Sequence, residues 1–263
     1  MKWPQYLGLI RHDTSAYNIL KEKKKDDPLY KAFLREWNAN PESRTTQALA
    51  HLVAEKFALG IGDASTPLAD KEGKRAFTVG KALRQYFHFA FLGENLPDII
   101  FVSPYTRTRE TLRHIGRGWP ELQNVRVVEE ERIREQEHGL SLLYNDWRVF
   151  HALYPEQARL RKLEGSYWYR YPQGESVPDV RERNRSWMTT LVRDFSEQRV
   201  LAVTHHLNIL AVRANLERLG TEEFIHLDET DKPANCSLTL YCGKGHLGKE
   251  GKFELEFYNK RFH

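Results

Sequence analysis

Residues 6–12 read YLGLIRH, five mostly apolar residues followed by an arginine and a histidine. An apolar run of this length, bounded by polar residues, predicts a buried β-strand. Two further runs have the same form: residues 99–102 (IIFV) lead into Ser103, and residues 200–203 (VLAV) lead into Thr204. Each of the three predicted strands therefore ends in polar side chains.

Segments with helical spacing lie between these strands. Residues 76–91 and 177–195 repeat apolar side chains at three- and four-residue intervals, and residues 207–219 are apolar almost throughout. Strands that alternate with helices predict an α/β fold, with a mostly parallel central sheet flanked by helices. Two late runs, 235–242 and 252–258, alternate like the strands of a hairpin or a sheet edge.

Residues 20–66 depart from this pattern. The charge run KEKKKDD at 21–27 predicts a solvated segment, and residues 29–37 and 45–59 predict two helices separated by the break NANP. We interpret 20–66 as a helical insertion in a single domain that spans residues 1–263. The insertion is a lid that sets substrate choice, a dimer surface or padding, and the sequence leaves these three open.

Composition excludes several classes of protein. Hydrophobic residues at 40% and charged residues at 29% exclude a disordered chain and an integral membrane protein. The net charge of +4 is too small for a dedicated nucleic-acid binder and fits a protein that binds an anionic small molecule. Two cysteines, without a zinc-binding motif, indicate a reducing compartment. The first residues contain no apolar stretch long enough for a signal peptide, so we expect a cytoplasmic protein.

The ends of the predicted strands carry the residues that can do chemistry. Arg11 and His12 follow the first strand, Arg107 comes soon after the second, and His205 and His206 follow the third. In open α/β sheets, ligands bind beyond the carboxyl ends of the strands. Guanidinium groups bind phosphate oxygens in a bidentate way, and imidazole attacks as the neutral base. The cluster therefore predicts phosphoryl transfer, and no nucleotide-binding glycine loop accompanies it.

Five segments resemble, in the same order, the signatures of the histidine phosphatase superfamily, also called phosphoglycerate-mutase-like. They are RHDTSAYN at 11–18, SPYTRTRET at 103–111, IREQEHG at 133–139, YRYPQGES at 169–176 and VTHH at 203–206. The resemblance implies a phosphoglycerate-mutase-like fold and a phosphatase that acts on a small-molecule phosphate ester. It implies no metal and no other cofactor.

The resemblance also assigns the phosphate-binding residues. Arg11 and Arg107 would hold the phosphate oxygens, and Asn18 matches a position that lines the phosphate pocket. In the segment 169–176, Glu175 and Ser176 either support the pocket or begin the following helix.

Three further residues receive catalytic roles from the resemblance. His12 would be the nucleophile that forms a phosphohistidine, and His205 would donate to the transferring group. Glu135 would protonate the leaving oxygen and then deprotonate the attacking water, which is what general acid–base catalysis requires of one carboxyl group in two half-reactions.

Asp13 departs from the family pattern, which has glycine after the nucleophile. A carboxylate beside a phosphate site is repulsive unless it turns away or pairs with a cation. Asp13 can instead orient His12 by accepting its other ring proton. His206 replaces a small residue, and because side chains near a strand end alternate in direction, only one of His205 and His206 should face the phosphate.

Three alternatives to a phosphatase remain open at this point. A phosphomutase would need groups for a second phosphate, and the residues after Glu135 resemble the phosphatase branches more closely. Asp13 favours an inactive relative that binds a phosphorylated ligand or a protein, whereas the intact pair of His12 and Glu135 disfavours it. The aromatic residues at 167–171 are suited to stacking on bases, but they lie within a family-like segment, and we expect neither a nucleic-acid nor a membrane partner.

Overall fold

The computed structural model describes residues 3–91, 96–243 and 253–262 of the chain. Its strands form one six-stranded sheet. They are β1 (Tyr6–Arg11), β2 (Ile99–Val102), β3 (Arg126–Glu129), β4 (Arg199–Thr204), β5 (Leu238–Gly243) and β6 (Phe253–Lys260).

The strand order across the sheet is β3-β2-β4-β1-β5-β6. The first four strands in this order pair in parallel, whereas β5 pairs antiparallel with β1 and with β6. The predicted α/β fold with a mostly parallel sheet is therefore confirmed, and the two late runs form its antiparallel edge. Strand β3 was not predicted, because its sequence RVVE is largely exposed and lacks a buried apolar run.

Helices cover both faces of this sheet. The described residues contain α1 (Ala16–Asp26), α2 (Pro28–Ala39), α3 (Arg44–Lys56), α4 (Lys74–Ala90), α5 (Thr106–Gly118), α6 (Trp147–Leu153), α7 (Pro155–Glu164), α8 (Val177–Asp194), α9 (His206–Leu216) and α10 (Thr221–Thr230).

The side chains of β1 alternate between the two faces of the sheet and pack against the helices on each face. Leu9 belongs to a buried cluster with Trp187 of α8, whereas the next residue, Ile10, belongs to a second cluster with Leu83 of α4. Successive side chains of a strand point to opposite faces, so both faces of β1 are apolar and buried. This burial holds the central strand firmly and fixes the position of the residues that follow it.

The predicted insertion, residues 20–66, contains most of α1 and all of α2 and α3. Its apolar side chains form a separate cluster, in which Phe33 of α2 and Val53 of α3 are grouped with Val149 of α6. The prediction that residues 21–27 are a solvated run is largely confirmed, because all of them except Lys24 and the half-buried Asp27 are exposed at the end of α1.

Lys24 is the buried member of that run, with 1% of its side chain exposed. Its ammonium group donates to the Asn145 carbonyl at 2.8 Å and to the Asp146 carboxylate at 3.0 Å. A buried lysine needs such partners, because an unpaired charge is costly to remove from water. The contact joins α1 to the segment that begins α6.

Candidate active site

His12 directly follows β1 and is buried at the carboxyl end of the sheet. Its backbone N–H donates to the Thr204 carbonyl at 2.9 Å, which holds the end of β1 beside the end of β4. Its ring Nδ1 lies 2.6 Å from the carbonyl oxygen of Asp13. That contact makes Nδ1 the protonated nitrogen, so Nε2 carries the lone pair that a nucleophile needs.

The charge state of His12 suits this role. Burial lowers the pKa of His12 well below its usual value, and the nearby Arg107 and Arg11 lower it further. Both effects favour the neutral imidazole. A neutral imidazole is the form that attacks phosphorus.

His205 lies at the end of β4 with its ring 5.2 Å from that of His12, between centroids. Its Nε2 is 2.8 Å from the Ser103 hydroxyl, whereas its buried Nδ1 has no hydrogen-bond partner among the described residues. Burial, followed by the charge of Arg107, lowers the pKa of His205. His206 diverges from it and lies 2.7 Å from the Asp228 carboxylate.

Arg11 is the last residue of β1, and its side chain is half-buried. Its Nη1 donates to the Pro233 carbonyl at 2.6 Å, but its buried Nε has no hydrogen-bond partner within the described part of the chain. Burial lowers the pKa of Arg11, Glu135 raises it and Arg107 lowers it, so these three side chains lie near one another. A buried donor without a partner is a place where an anionic oxygen can bind.

Arg107, on the first turn of α5, already has an anionic partner. Its Nη1 and Nη2 donate to the two carboxylate oxygens of Asp63 at 3.0 and 3.2 Å, and Nη1 also donates to the Asp63 carbonyl at 2.6 Å. The Arg107 guanidinium lies 4.7 Å from the centroid of the Tyr105 ring. The sequence did not predict this pair, because nothing in the local pattern around Asp63 points to an arginine elsewhere.

Glu135 lies in the loop after the short helical turn Glu131–Ile133. Its carbonyl oxygen accepts from Nη2 of Arg183 at 3.0 Å, and its carboxylate accepts from the Gln136 N–H at 3.1 Å. Glu175 supports the same loop, because it accepts from Arg183 at 2.9 Å and from the Glu137 N–H at 3.0 Å. This network fixes the backbone that carries the Glu135 carboxyl group.

Ser176, next to Glu175, begins helix α8. The Asp179 carboxylate accepts from the Ser176 N–H at 2.7 Å, which is half of a capping box. Ser176 thus caps the helix, whereas Glu175 holds the loop that carries Glu135.

Asn18 forms part of the N-terminal cap of α1. Its amide oxygen accepts from both the N–H and the hydroxyl of Ser15, each at 3.0 Å. This capping box satisfies a backbone N–H that the helix leaves unpaired. The contacts of Asn18 therefore lie within its own helix terminus and not with Arg11, His12 or Arg107.

Asp13 turns its carboxylate away from His12. The carboxylate accepts from the Thr14 N–H at 2.7 Å and from Arg75 at 3.3 Å. The expectation that this carboxylate orients His12 is wrong, since the backbone carbonyl of Asp13 accepts the ring proton instead. The alternative expectation, that Asp13 turns away and pairs with a cation, describes what the structure shows.

Tyr105 is an aromatic residue of the site to which the sequence assigned no role. Tyr105 packs edge-on against His205, with 4.9 Å between centroids, and its hydroxyl donates to the Glu137 carboxylate at 3.1 Å. His138 packs against Tyr171 at 5.0 Å. The position of Tyr105 inside the segment 103–111 was the available signal.

The described residues contain neither a metal-binding cluster nor a membrane-spanning helix. Within residues 3–91, 96–243 and 253–262, no group of three or more His, Cys, Asp or Glu side chains is arranged to hold a metal ion. In the same ranges, no helix combines the length and apolar character that a membrane span requires.

Comparison with known proteins gives a consistent family. The profile of the histidine phosphatase superfamily (branch 1) matches residues 60–247. A phosphoglycerate mutase-like protein of Arabidopsis thaliana is 34% identical over 210 residues, which cover 75% of this chain and 70% of that protein. A broad-range acid phosphatase of Saccharomyces cerevisiae is 33% identical over 106 residues, which cover 38% of this chain and 30% of that protein.

Solved structures share the fold. A mycobacterial glucosyl-3-phosphoglycerate phosphatase, in complex with inorganic phosphate, superposes with a TM-score of 0.60 at 20% identity, and the superposition covers 98% of both chains.

The match to the family profile begins after Arg11 and His12, whereas Arg107, Glu135 and His205 lie within it. It is the parallel pairing of β1 with β4 that brings His12 to His205.

Proposed function

This chain belongs to the histidine phosphatase superfamily, and from that premise we propose that it hydrolyses small-molecule phosphate monoesters through a phosphohistidine on His12. The observation that carries the proposal is the state of His12. Its ring is buried with a lowered pKa that favours the neutral form, its Nδ1 is held by the Asp13 carbonyl, and its neighbours include two guanidinium groups. Positive charge around a transferring phosphoryl group is the main requirement for catalysis of this step.

In the first half-reaction, Nε2 of His12 attacks phosphorus and the bond to the ester oxygen breaks. Arg11 and Arg107 hold the equatorial oxygens, and His205 donates to the transferring group. Glu135 gives its proton to the leaving oxygen, so the alcohol departs neutral.

In the second half-reaction, a water molecule attacks the phosphohistidine. Glu135, now a carboxylate, accepts a proton from the water as the phosphorus–nitrogen bond breaks. The products are inorganic phosphate and the neutral His12, and Glu135 is again protonated.

The pairing of Asp13 with Arg75 supports an active enzyme over an inactive relative. The inactive alternative rested on an unpaired carboxylate beside the phosphate, and Arg75 offsets that charge at 3.3 Å. Hydrolysis is preferred to mutase activity because the stretch after Glu135 resembles the phosphatase branches. Two curated relatives are also named as phosphatases, the yeast acid phosphatase and a phosphoserine phosphatase of Hydrogenobacter thermophilus.

The test is hydrolysis of p-nitrophenyl phosphate in EDTA at mildly acidic to neutral pH. We expect His12→Ala to lower kcat by about 10³-fold or more, because the nucleophile is lost. The matched control is His206→Ala, which removes the adjacent histidine that contacts Asp228, and it should retain activity within about tenfold. Wild-type protein should also acquire an acid-labile phosphoryl label that His12→Ala lacks.

Two results would contradict the proposal. Normal turnover by His12→Ala would show that another group is the nucleophile. A wild-type protein that binds vanadate but hydrolyses no ester would identify a ligand-binding relative.

A further inference from the structure

The ion pair between Arg107 and Asp63 places a carboxylate at one of the two guanidinium groups proposed to hold phosphate. The Arg107 side chain is 5% exposed and that of Asp63 is 20% exposed, so the pair is largely removed from solvent. The contact is bidentate, with one carboxylate oxygen on each terminal nitrogen. Carboxylate and phosphate present the same pair of oxygens to a guanidinium group.

Aromatic stacking fixes the plane in which the Arg107 guanidinium can meet a ligand. The guanidinium is stacked over the Tyr105 ring at 4.7 Å, and Tyr105 itself packs against His205. The planar group is therefore held between its own helix and the aromatic wall of the site. An anion that binds the Nη1–Nη2 edge of Arg107 takes the place of the Asp63 carboxylate.

The segment that carries Asp63 is, in contrast, lightly held. Asp63 begins a single helical turn, Asp63–Ser65, and follows Gly60 and Gly62. Residues 60–62 are exposed, and a side chain built at either glycine would meet no atom within 4 Å. The chain becomes buried again at Thr66. Displacement of Asp63 therefore breaks few packing contacts.

We infer that Asp63 determines the affinity for phosphate esters, because its carboxylate occupies Arg107 until the phosphoryl group of a substrate displaces it. This inference rests on the proposed function, since it assigns Arg107 to the substrate phosphate. The insertion thereby acts on the reaction through one residue. Because each substrate has to displace Asp63 from Arg107, the ion pair raises the KM of wild-type protein for every phosphate ester by a common factor and leaves the chemical step unchanged.

The experiment is calorimetric titration of inorganic phosphate into wild-type protein and Asp63→Asn. We expect Asp63→Asn to bind phosphate about tenfold more tightly, since a charge-assisted bond no longer competes with the ligand. KM for p-nitrophenyl phosphate should fall by a similar factor, with kcat unchanged. The matched control is Asp26→Asn, the same substitution at an insertion residue that is 95% exposed, which should bind phosphate like wild type.

Unchanged or weaker phosphate binding by Asp63→Asn would overturn the inference and make Asp63 a positioning residue for Arg107. Asp63→Ala gives an independent test, because added acetate can refill the vacated carboxylate site. Acetate should then weaken phosphate binding to Asp63→Ala and have less effect on wild type, and equal effects on both would also overturn the inference. Binding of inorganic phosphate needs no turnover, so a failure of the proposed hydrolysis would be seen separately.

Discussion

The two sides of the candidate site are prepared for a ligand in opposite ways. On the sheet side, Arg11 and His205 each keep a buried nitrogen without a hydrogen-bond partner among the described residues. On the insertion side, Arg107 is already paired with Asp63. The sheet side therefore presents unsatisfied groups, and the insertion side presents an internal anion that a ligand has to replace.

The difference follows from how each side is held. Strand β1 is hydrogen-bonded to β4 on one side and to β5 on the other, so residues at its end cannot move to find partners. The segment 60–62 is exposed and contains two glycines, so Asp63 can reach the nearest cation. A rigid strand can keep polar groups without hydrogen-bond partners until a substrate binds. The polar groups of a loosely held turn can move until they find partners within the protein.

After His12→Ala, the largest loss of activity is expected for Glu135→Gln. This substitution tests the sheet side of the site without changing the ion pair between Arg107 and Asp63. Loss of the proton donor should lower kcat for phenyl phosphate by about 10²- to 10⁴-fold. With p-nitrophenyl phosphate, whose leaving group needs little protonation, the phosphohistidine should form and accumulate, because water attack needs the same carboxyl group. Rapid-quench measurement of the phosphoenzyme checks this.

Glu131→Gln is the control for that experiment, since Glu131 is an exposed carboxylate just before the same loop. It should leave kcat for both esters within about twofold. Equal losses on both esters, with no phosphoenzyme, would show that Glu135 does not act as the acid and base.

The next effect concerns the attachment of the insertion. Lys24→Met should lower the free energy of unfolding by about 3 kcal/mol, because it leaves the nearly buried Asp146 without its cation. Lys25→Met, which removes the adjacent lysine from an exposed pair with Glu22, should cost less than about 1 kcal/mol. Denaturant unfolding of both variants gives the comparison, and equal losses would contradict the structural role of Lys24.

The smallest effect is expected for Asp13→Gly, which restores the residue typical of the family. Arg75 offsets the Asp13 carboxylate, and the backbone carbonyl that orients His12 survives the substitution. Phosphate affinity should therefore change by no more than about threefold. A gain of tenfold in the same calorimetric titration would show that the carboxylate faces the phosphate, and a large loss of kcat would show that it orients the nucleophile.

The sequence by itself determined the frame of the site. Apolar runs and helical spacing are local patterns, so they located the three central strands and the main flanking helices. Because parallel strands end at one edge of a sheet, the same patterns predicted that His12 and His205 meet. The single-domain interpretation and the catalytic roles stay predictions.

Only the tertiary structure decided how the charged residues pair. Asp63 and Arg107 are 44 positions apart, and Lys24 and Asp146 are 122 apart. The sequence of the charge run 21–27 does not distinguish one lysine from another. The packing of α1 determines that Lys24 is the one that is buried. Ion pairs of this kind depend on which surfaces the helices bring together, and local sequence patterns do not encode that information.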